Sequence, residues 1–461
     1  MQLDHDTILA PATASGGALA VIRISGDDAL RICDAVFRGR TPLTDAAGYT
    51  VHYGRIVDGD RIVDDVLATV FRAPHSYTGE DSVELSCHGS SYIVSEILRL
   101  LLAAGGRMAM PGEFTMRAYF AGKLDLSQAE AVADLIASSS RSAHTLASNQ
   151  MRGGYSAALD ELRNRLLHLA SMLELELDFS EEDVAFADRT ELRRIMEQIG
   201  AEIDRLRRSY ALGNVLKEGV PVAIVGAPNA GKSTLLNRLL NEDRAIVSEI
   251  AGTTRDVIEE SVNIEGIRFR FVDTAGLRTT DDRLERMGIE RTLQRIAQAR
   301  IVIRVLDATD FAQSLPVSDA ADFSGAVPPV DFALLEGCTL LTVLNKTDLR
   351  PDLTLPEGVI GLSAHTGEGL DRLRESLLHD VGPEALDSSE VVVSNSRHLE
   401  ALTAARGALE RALHSLHDGL PTDLLAEEIR EVIRYLGEIT GCGIVSDDIL
   451  AAIFSKFCIG K

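Results

Sequence analysis

Apolar and polar positions alternate in short runs over the first 118 residues, the period of half-buried strands. Ala18 to Ile24, Tyr49 to Tyr53, Val66 to Phe71 and Ser82 to Ser86 predict strands, the last two flanking the loop Pro74-His-Ser-Tyr-Thr-Gly79. Asp27 to Phe37 and Ser91 to Ala104 predict helices, so this part reads as mixed α/β. From about 119 to 215 the period lengthens. Leu162, Leu166, Leu169 and Leu173 fall on one helical stripe, and Leu192, Ile195, Ile199, Ile203 and Leu206 on another. Apolar-rich strand runs return at Val222 to Val225, Ile267 to Val272, Leu340 to Leu344 and Val359 to Leu362. The helical stripe then resumes with Leu425, Ile429, Val432, Leu436 and Ile439. The fold class expected is multidomain α/β plus α: an N-terminal α/β domain at 1–118, a helical domain at 119–215 and 379–461, and a second α/β domain at 216–378 inserted into it. Insertion is tolerated because domain termini usually lie close together at the surface. Phe311 to Pro329, rich in Ala, Asp, Ser and Pro, reads as a surface loop of the inserted domain.

The inserted domain carries the chemistry. Gly226-Ala-Pro-Asn-Ala-Gly231-Lys232-Ser233 lies between a strand run and a helical run opening at Thr234, the context a phosphate loop requires. Its glycines let the backbone wrap phosphates, and the helix N-terminus turns N–H groups toward them. Lys232 reaches the β- and γ-phosphates and the Ser233 hydroxyl ligates Mg²⁺ in such loops. Asp273-Thr274-Ala275-Gly276 follows a strand, where a carboxylate can hold the Mg²⁺ shell and a glycine N–H can meet a γ-phosphate. Asn345-Lys346-Thr347-Asp348 supplies an Asp that accepts from guanine N1–H and the 2-amino group, donors adenine lacks. Ser363-Ala364, with His365 after it, offers a backbone N–H to guanine O6. Gly252-Thr253-Thr254 supplies the threonine that senses γ-phosphate and Mg²⁺. Each short motif alone has a bland reading as an ordinary turn; in this order they define a P-loop, Ras-like GTPase domain.

Composition narrows the partners. The 461 residues carry a net charge of −24, with 45% hydrophobic and 25% charged residues. That acidity argues against a generic nucleic-acid coat, which needs clustered Lys and Arg, but leaves room for a local basic patch. The start Met1-Gln-Leu-Asp-His-Asp6 has neither basic nor apolar segments of a signal peptide, and no run approaches a membrane span. Cys33, Cys87, Cys338, Cys442 and Cys458 are scattered, with spacing suited neither to zinc nor to a disulfide framework, so a reduced cytoplasm is expected.

Arg23-Ile-Ser-Gly26, Ser76-Tyr-Thr-Gly-Glu-Asp81, Glu84 to Gly89, Pro111-Gly-Glu-Phe114, Gly122-Lys-Leu-Asp-Leu-Ser-Gln-Ala-Glu130 and the terminus Phe457-Cys-Ile-Gly-Lys461 resemble the MnmE (TrmE) tRNA-modification GTPases across nearly the whole chain. The GTPase strings Asn-Ala-Gly-Lys-Ser, Ile-Ala-Gly-Thr-Thr-Arg-Asp and Asp-Thr-Ala-Gly-Leu-Arg carry the same resemblance. It implies a homodimer joined through the N-terminal domains, which bind a 5-formyl- or methylene-tetrahydrofolate. It implies an FAD-dependent partner, MnmG, in a heterotetramer or larger complex, and tRNA as substrate. Together they install an aminomethyl or carboxymethylaminomethyl group on C5 of the wobble uridine. It implies folate contacts at Arg23, Glu84, Lys123 and Lys461, K⁺ ligands at Asn229, Ser248, Ile250 and Thr253, and Mg²⁺ ligands at Ser233 and Thr254. Nucleotide contacts extend along Asn229, Ala230, Gly231, Lys232, Ser233 and Thr234, and through Ser248, Glu249, Ile250, Ala251, Gly252, Thr253 and Thr254. Ala14-Ser15-Gly16-Gly17 departs from the Pro-Gly-Arg-Gly loop common in relatives, which leaves contacts of that loop open.

Leu277 stands where Ras-like GTPases keep the Gln that orients the attacking water. Glu285 is where the resemblance places a catalytic Glu; the bland alternative is a solvated carboxylate. Asn229 is a K⁺ ligand by resemblance and otherwise a surface-loop Asn. Arg23, Glu84 and Lys123 are by themselves ordinary ion-pair formers, and no spacing shows that they converge. His88 reads as structural. Cys458 sits in a tail flanked by Phe457 and Ile459, which suggests an ordered tail presenting a catalytic thiol; the alternative is a loose terminus. A switch GTPase of ribosome assembly would share the nucleotide motifs, but such proteins usually append a small basic RNA-binding domain, and none is visible here. A one-carbon enzyme regulated by GTP would need a catalytic constellation in the N-terminal domain, and the sequence offers none.

Overall fold

The computed structural model describes residues 6–14, 16–178, 189–243, 260–271, 299–310, 338–382, 391–443, 446–455, 457 and 460. Two compact units result: Met1–Ile136 with Asn149–Ile203 and Glu400–Lys461, and Ala137–Ser148 with Asp204–Leu399. The predicted loop at 311–329 lies outside the described residues.

In the first unit, β1 (Ile8–Pro11), β2 (Leu19–Ser25), β3 (Phe37–Gly39), β4 (Thr50–Asp58), β5 (Arg61–Phe71), β6 (Ser82–His88) and β7 (Arg107–Met108) form one sheet in the order β3-β4-β5-β6-β2-β1-β7. Helices α1 (Ala29–Val36) and α2 (Ser91–Ala103) contribute Ala29, Ile32, Ile97 and Leu101 to the core that Ala20, Ile22 and Ile24 build from β2. The period of two leaves Val21 and Arg23 on the opposite face. Strands β4 and β5 run longer than the apolar runs predict. Their polar residues, such as Arg55 and Asp65, face solvent while their backbones stay in the ladder, so the strand outlasts its hydrophobic signal.

The chain then turns helical: α3 (Glu113–Phe120), α4 (Leu126–Ala137), α5 (Arg141–Met151), α6 (Gly154–Asp178) and α7 (Arg189–Glu218). Leu162, Leu166, Leu169 and Leu173 are all at most 2% exposed, and burying each side chain is worth about 1.5–3 kcal/mol. In α7 the buried stripe includes Met196 where the pattern had suggested Ile195, which is half-buried.

In the second unit, β8 (Val220–Gly226) leads into α8 (Lys232–Asp243), followed by β9 (Glu260–Ile264), β10 (Ile267–Phe271), β11 (Ile301–Asp307), β12 (Thr339–Asn345), β13 (Val359–Gly361) and α9 (Leu370–Val381). The sheet order is β13-β12-β11-β8-β10-β9, parallel except for β9. Central strands such as β11, with Ile301 to Val305 all buried, need helices on both faces, as their unbroken apolar runs imply. Ligands of such sheets bind beyond the carboxyl ends of the strands, where the β8, β11 and β12 loops emerge.

Helices α10 (Ser396–His417), α11 (Thr422–Thr440) and α12 (Asp447–Phe454) close the chain. The predicted α11 stripe is buried throughout, from Leu425 to Ile439. Near the chain end, Phe457 and Gly460 are both buried within the first unit. Phe457 packs with Leu450, Ile453 and Phe454 of α12 on Met116, Leu126 and Ala129. Gly460 is buried at φ 100°, where an added Cβ would stand 2.1 Å from the Pro11 carbonyl oxygen. Among the described residues, no helix is long and apolar enough to cross a membrane.

Candidate functional site

The phosphate loop begins as β8 ends. Gly226 has φ 155° and Gly231 has φ 93°, and a Cβ at Gly231 would fall 2.1 Å from Asn345 Nδ2. The loop therefore cannot carry a side chain at Gly231 without losing its shape. Asn229 adopts φ 65° with its side chain exposed, a left-handed conformation that Asn tolerates better than most residues. Lys232 opens α8 and its ammonium donates to the carbonyls of Gly226 at 2.8 Å and Ala227 at 2.7 Å. Ser233 and Thr234 are exposed in the first turn.

Asn345 joins three motifs. Its Nδ2 donates to the Ala230 carbonyl at 2.8 Å, and its Oδ1 accepts from the Ala364 N–H at 2.9 Å. The side chain is 2% exposed, so both bonds lie in a low-dielectric interior where leaving either unmade would be costly. Lys346 follows at φ 65°, and the turn Thr347–Leu349 carries Asp348 with its carboxylate exposed. Ser363 is buried and His365 exposed beside Ala364. One amide side chain thus ties the turn after β8 to the end of β12 and to the Ser363-Ala364 segment. Ser248, Glu249, Ile250, Ala251, Gly252, Thr253, Thr254, Asp273, Thr274, Ala275, Gly276 and Glu285 lie outside the described residues.

A second cluster lies on the face of the N-terminal sheet opposite the core shared with α1 and α2. Register pairs Arg23 of β2 with Glu84 of β6, and the Arg23 Nε and Nη2 donate to Glu84 Oε1 at 2.9 and 2.8 Å. The guanidinium carbon lies 5.4 Å from the Tyr77 ring centroid and 5.7 Å from that of Phe114. Such contacts add about 0.5–2 kcal/mol and fix the guanidinium plane. Tyr77 Oη bonds Thr115 Oγ1 at 2.8 Å, and burial pushes its pKa up. The loop that carries Tyr77 is pinned from below. Arg117, 2% exposed, donates to Glu80 Oε1 at 3.0 Å and to Asp6 Oδ1 at 2.7 Å. Thr78 Oγ1 and Glu80 Oε2 meet Ser25 Oγ at 2.6 and 2.7 Å. Lys123, exposed just after α3, borders the same loop: a Cβ at Gly79 would lie 3.6 Å from its Cε.

Arg23 and Glu84 are therefore direct partners, with Lys123 at the rim of the loop beside them. Sequence reasoning missed Tyr77 and Phe114, although both sit in the Ser76–Asp81 and Pro111–Phe114 segments already singled out. Cys458 and Lys461 lie outside the described residues. His88 is tied by Asp64, which accepts from its backbone N–H at 2.8 Å and pairs with Nδ1 at 2.7 Å. Burial raises the Cys87 thiol to about 11 and pushes Cys33 up further, so neither is a ready nucleophile.

Two family profiles match: "GTP-binding protein TrmE N-terminus" over residues 7–123 and "MnmE helical domain" over 126–458. The chain is 50% identical over 462 residues to the tRNA modification GTPase MnmE of Cytophaga hutchinsonii, covering 99% of this chain and 98% of that protein. It is 48% identical over 478 residues to the tRNA modification GTPase MnmE of Bacteroides fragilis, covering 100% of both. Among solved structures, the G domain of the T. maritima FeoB iron transporter is 23% identical over 35% of this chain and 98% of its own, at a TM-score of 0.23, too low to bear on the fold.

Proposed function

Because this chain belongs to the MnmE family of tRNA-modification GTPases, we propose that it hydrolyses GTP in the cytoplasm to drive modification of C5 of the wobble uridine in certain tRNAs. In this reading it works as a homodimer with the FAD-dependent MnmG and adds an aminomethyl or carboxymethylaminomethyl group. The observation that supports it most is the Asn345 side chain bridging Ala230 and Ala364, because a guanine-nucleotide site needs the phosphate loop and the base-reading segments to meet. Asp348 would accept the two guanine donors, and Lys232 with the N–H groups at the head of α8 would hold the phosphates.

Ser233, exposed at the start of α8, suits a Mg²⁺ ligand and would act with Thr254; the ion would neutralise phosphate charge. Asn229, whose backbone leaves its side chain exposed beside the cradle, suits a K⁺ ligand and would act with Ser248, Ile250 and Thr253; the ion would add positive charge where an arginine finger acts elsewhere. Leu277 cannot orient water, so Glu285 takes that role in this reading. Arg23, in contact with two aromatic rings, and its partner Glu84 present a cation and a carboxylate, a donor set that fits the polar, planar pterin of a tetrahydrofolate. Lys123 and Lys461 would complete that site, and the folate would supply one carbon. The docked tail would bring Cys458 toward the same unit as a reactive thiol.

The test is mass spectrometry of wobble nucleosides in tRNA from cells lacking the gene. C5-substituted uridines should disappear, return with the intact gene, and stay absent with Lys232→Ala. Unchanged modification in the deletion strain would overturn the reading.

A further inference from the structure

We propose that Asp307 is a positioning residue of the guanine site, acting through Lys346; this rests on the reading of Asn345-Lys346-Thr347-Asp348 as the base-reading segment. Asp307 ends β11, and the parallel register sets it opposite Asn345, the first residue of that segment. Its Oδ2 accepts from Lys346 Nζ at 2.5 Å, and its side chain is 12% exposed against 33% for the lysine. Oδ1 accepts from the Thr309 N–H at 2.9 Å and the Thr309 hydroxyl at 2.7 Å. The neighbouring Ala308 N–H donates to the Asn345 carbonyl at 2.9 Å. Both carboxylate oxygens are therefore committed, one to the base-reading segment and one to its own turn.

That commitment has a mechanical reason. Lys346 stands at φ 65°, ψ 34°, a left-handed corner that costs a long side chain backbone strain. Such a corner persists only where its surroundings hold it. The Lys346 backbone turns the chain into the Thr347–Leu349 turn, which sets where the exposed Asp348 carboxylate points. The partly buried ion pair draws the lysine stem back along the β11 end and is shielded from salt better than a surface pair. Burial of Asp307 works to raise its pKa, and the bonds from Lys346 and Thr309 outweigh it, so the carboxylate stays ionised and keeps its partner.

The experiment is a double-mutant cycle on the full chain, read by dissociation of a fluorescent GDP and by GTP turnover. Asp307→Asn should speed GDP release about tenfold and raise KM for GTP by a similar factor with kcat kept, since an amide replaces a charged acceptor. Lys346→Met should do the same, and the double variant should be no worse than Lys346→Met alone. Asp307→Glu should recover part of the loss. Thr309→Val removes only the hydroxyl bond and should leave GDP release unchanged. Additive effects of Asp307→Asn and Lys346→Met, or an Asp307→Asn protein that melts earlier but releases GDP at the normal rate, would overturn the proposal. Failure of the base-reading assignment shows separately, as undiminished GTP preference in Asp348→Asn.

Discussion

The nucleotide site and the Arg23–Glu84 site are built in opposite ways. Around the phosphate loop the backbone sets the frame: dihedrals at Gly226, Asn229, Gly231 and Lys346 aim N–H and C=O groups, and the side chains of Lys232, Asn345 and Asp348 are placed by that frame. Around Arg23 the working groups are side chains, brought together by strand register, a loop and the start of α3 over separations such as the 61 residues between Arg23 and Glu84. A backbone site tolerates almost no added atom at its turns. A side-chain site tolerates changes in steps, because each partner can be lost alone.

The largest effect should come from Gly231→Ala. The new Cβ would meet Asn345 Nδ2 at 2.1 Å in a backbone with φ 93°, so either the cradle opens or the Asn345 brace breaks. Strain of this kind costs about 1–3 kcal/mol, and losing a buried amide partner about as much again. Nucleotide affinity should fall by at least about 100-fold, measured by calorimetry with GDP. Near-normal affinity would erase the contrast between the two sites.

Asp348→Asn should have the next largest effect. It exchanges an acceptor for a mixed donor and acceptor, and each charged hydrogen bond so lost is worth about 1.5–3 kcal/mol. Preference should move from GTP toward xanthosine triphosphate, checked by competition between the two nucleotides. Retained GTP selectivity would mean that the base is read elsewhere.

The same contrast decides how much was legible in the sequence. A backbone site is written as a contiguous string, because the dihedrals that make it demand particular residues side by side. The strands β8, β12 and β13 and the turns that follow them were therefore readable as strand-to-turn strings. The α6 and α11 stripes were readable because burial follows one period. The side-chain site was named by resemblance and not by spacing, since β2 and β6 meet only once the sheet exists. Tyr77 and Phe114 escaped notice because nothing local marks an aromatic ring that will face a guanidinium. Asp307 escaped for a related reason: its partner Lys346 sits just past the end of the neighbouring strand, and parallel register leaves no trace in either segment. Met196 takes the place of Ile195 in the α7 stripe because 192, 196, 199, 203 and 206 keep the alternating four-three spacing of one helix face, and position 195 falls beside it.

At the side-chain site, Arg23→Met keeps much of the aliphatic stem while removing the charge beside Tyr77 and Phe114. Binding of a tetrahydrofolate, followed by fluorescence, should weaken about tenfold, the scale of one charged contact. GTP turnover should stay as it was, because no nucleotide group depends on Arg23. Phe114→Leu should weaken binding less, since the Glu84 pair survives. Loss of GTP turnover in Arg23→Met would show that the two sites are not independent.

The smallest effect concerns acid. Arg107 holds Asp6 below its ordinary value of 3.8 despite some burial. Burial works to raise Glu113, but bonds from Arg107 and the Met110 N–H leave it below 4.5. A carboxylate whose folded pKa is depressed contributes stability above its unfolded value and loses it as pH falls through the folded one. These contributions are therefore complete above about pH 4.5 and fade as pH drops below it. The Asp6 side chain is 35% exposed, so its share is screened by solvent. The nucleotide unit has Asp307 depressed in the same sense by Lys346 and Thr309 against its burial. With Asp6 and Glu113 both tied to Arg107 beside β1 and α3 and Asp307 at the end of β11, backbone amides of β1 and α3 should lose hydrogen-exchange protection sooner on acidification than those of β11. Arg107→Met should flatten the pH dependence in β1 and leave β11 unaltered. Equal acid sensitivity of β1 and β11, or an unchanged profile in Arg107→Met, would show that the Asp6–Arg107–Glu113 pairs contribute nothing to the stability of the N-terminal sheet.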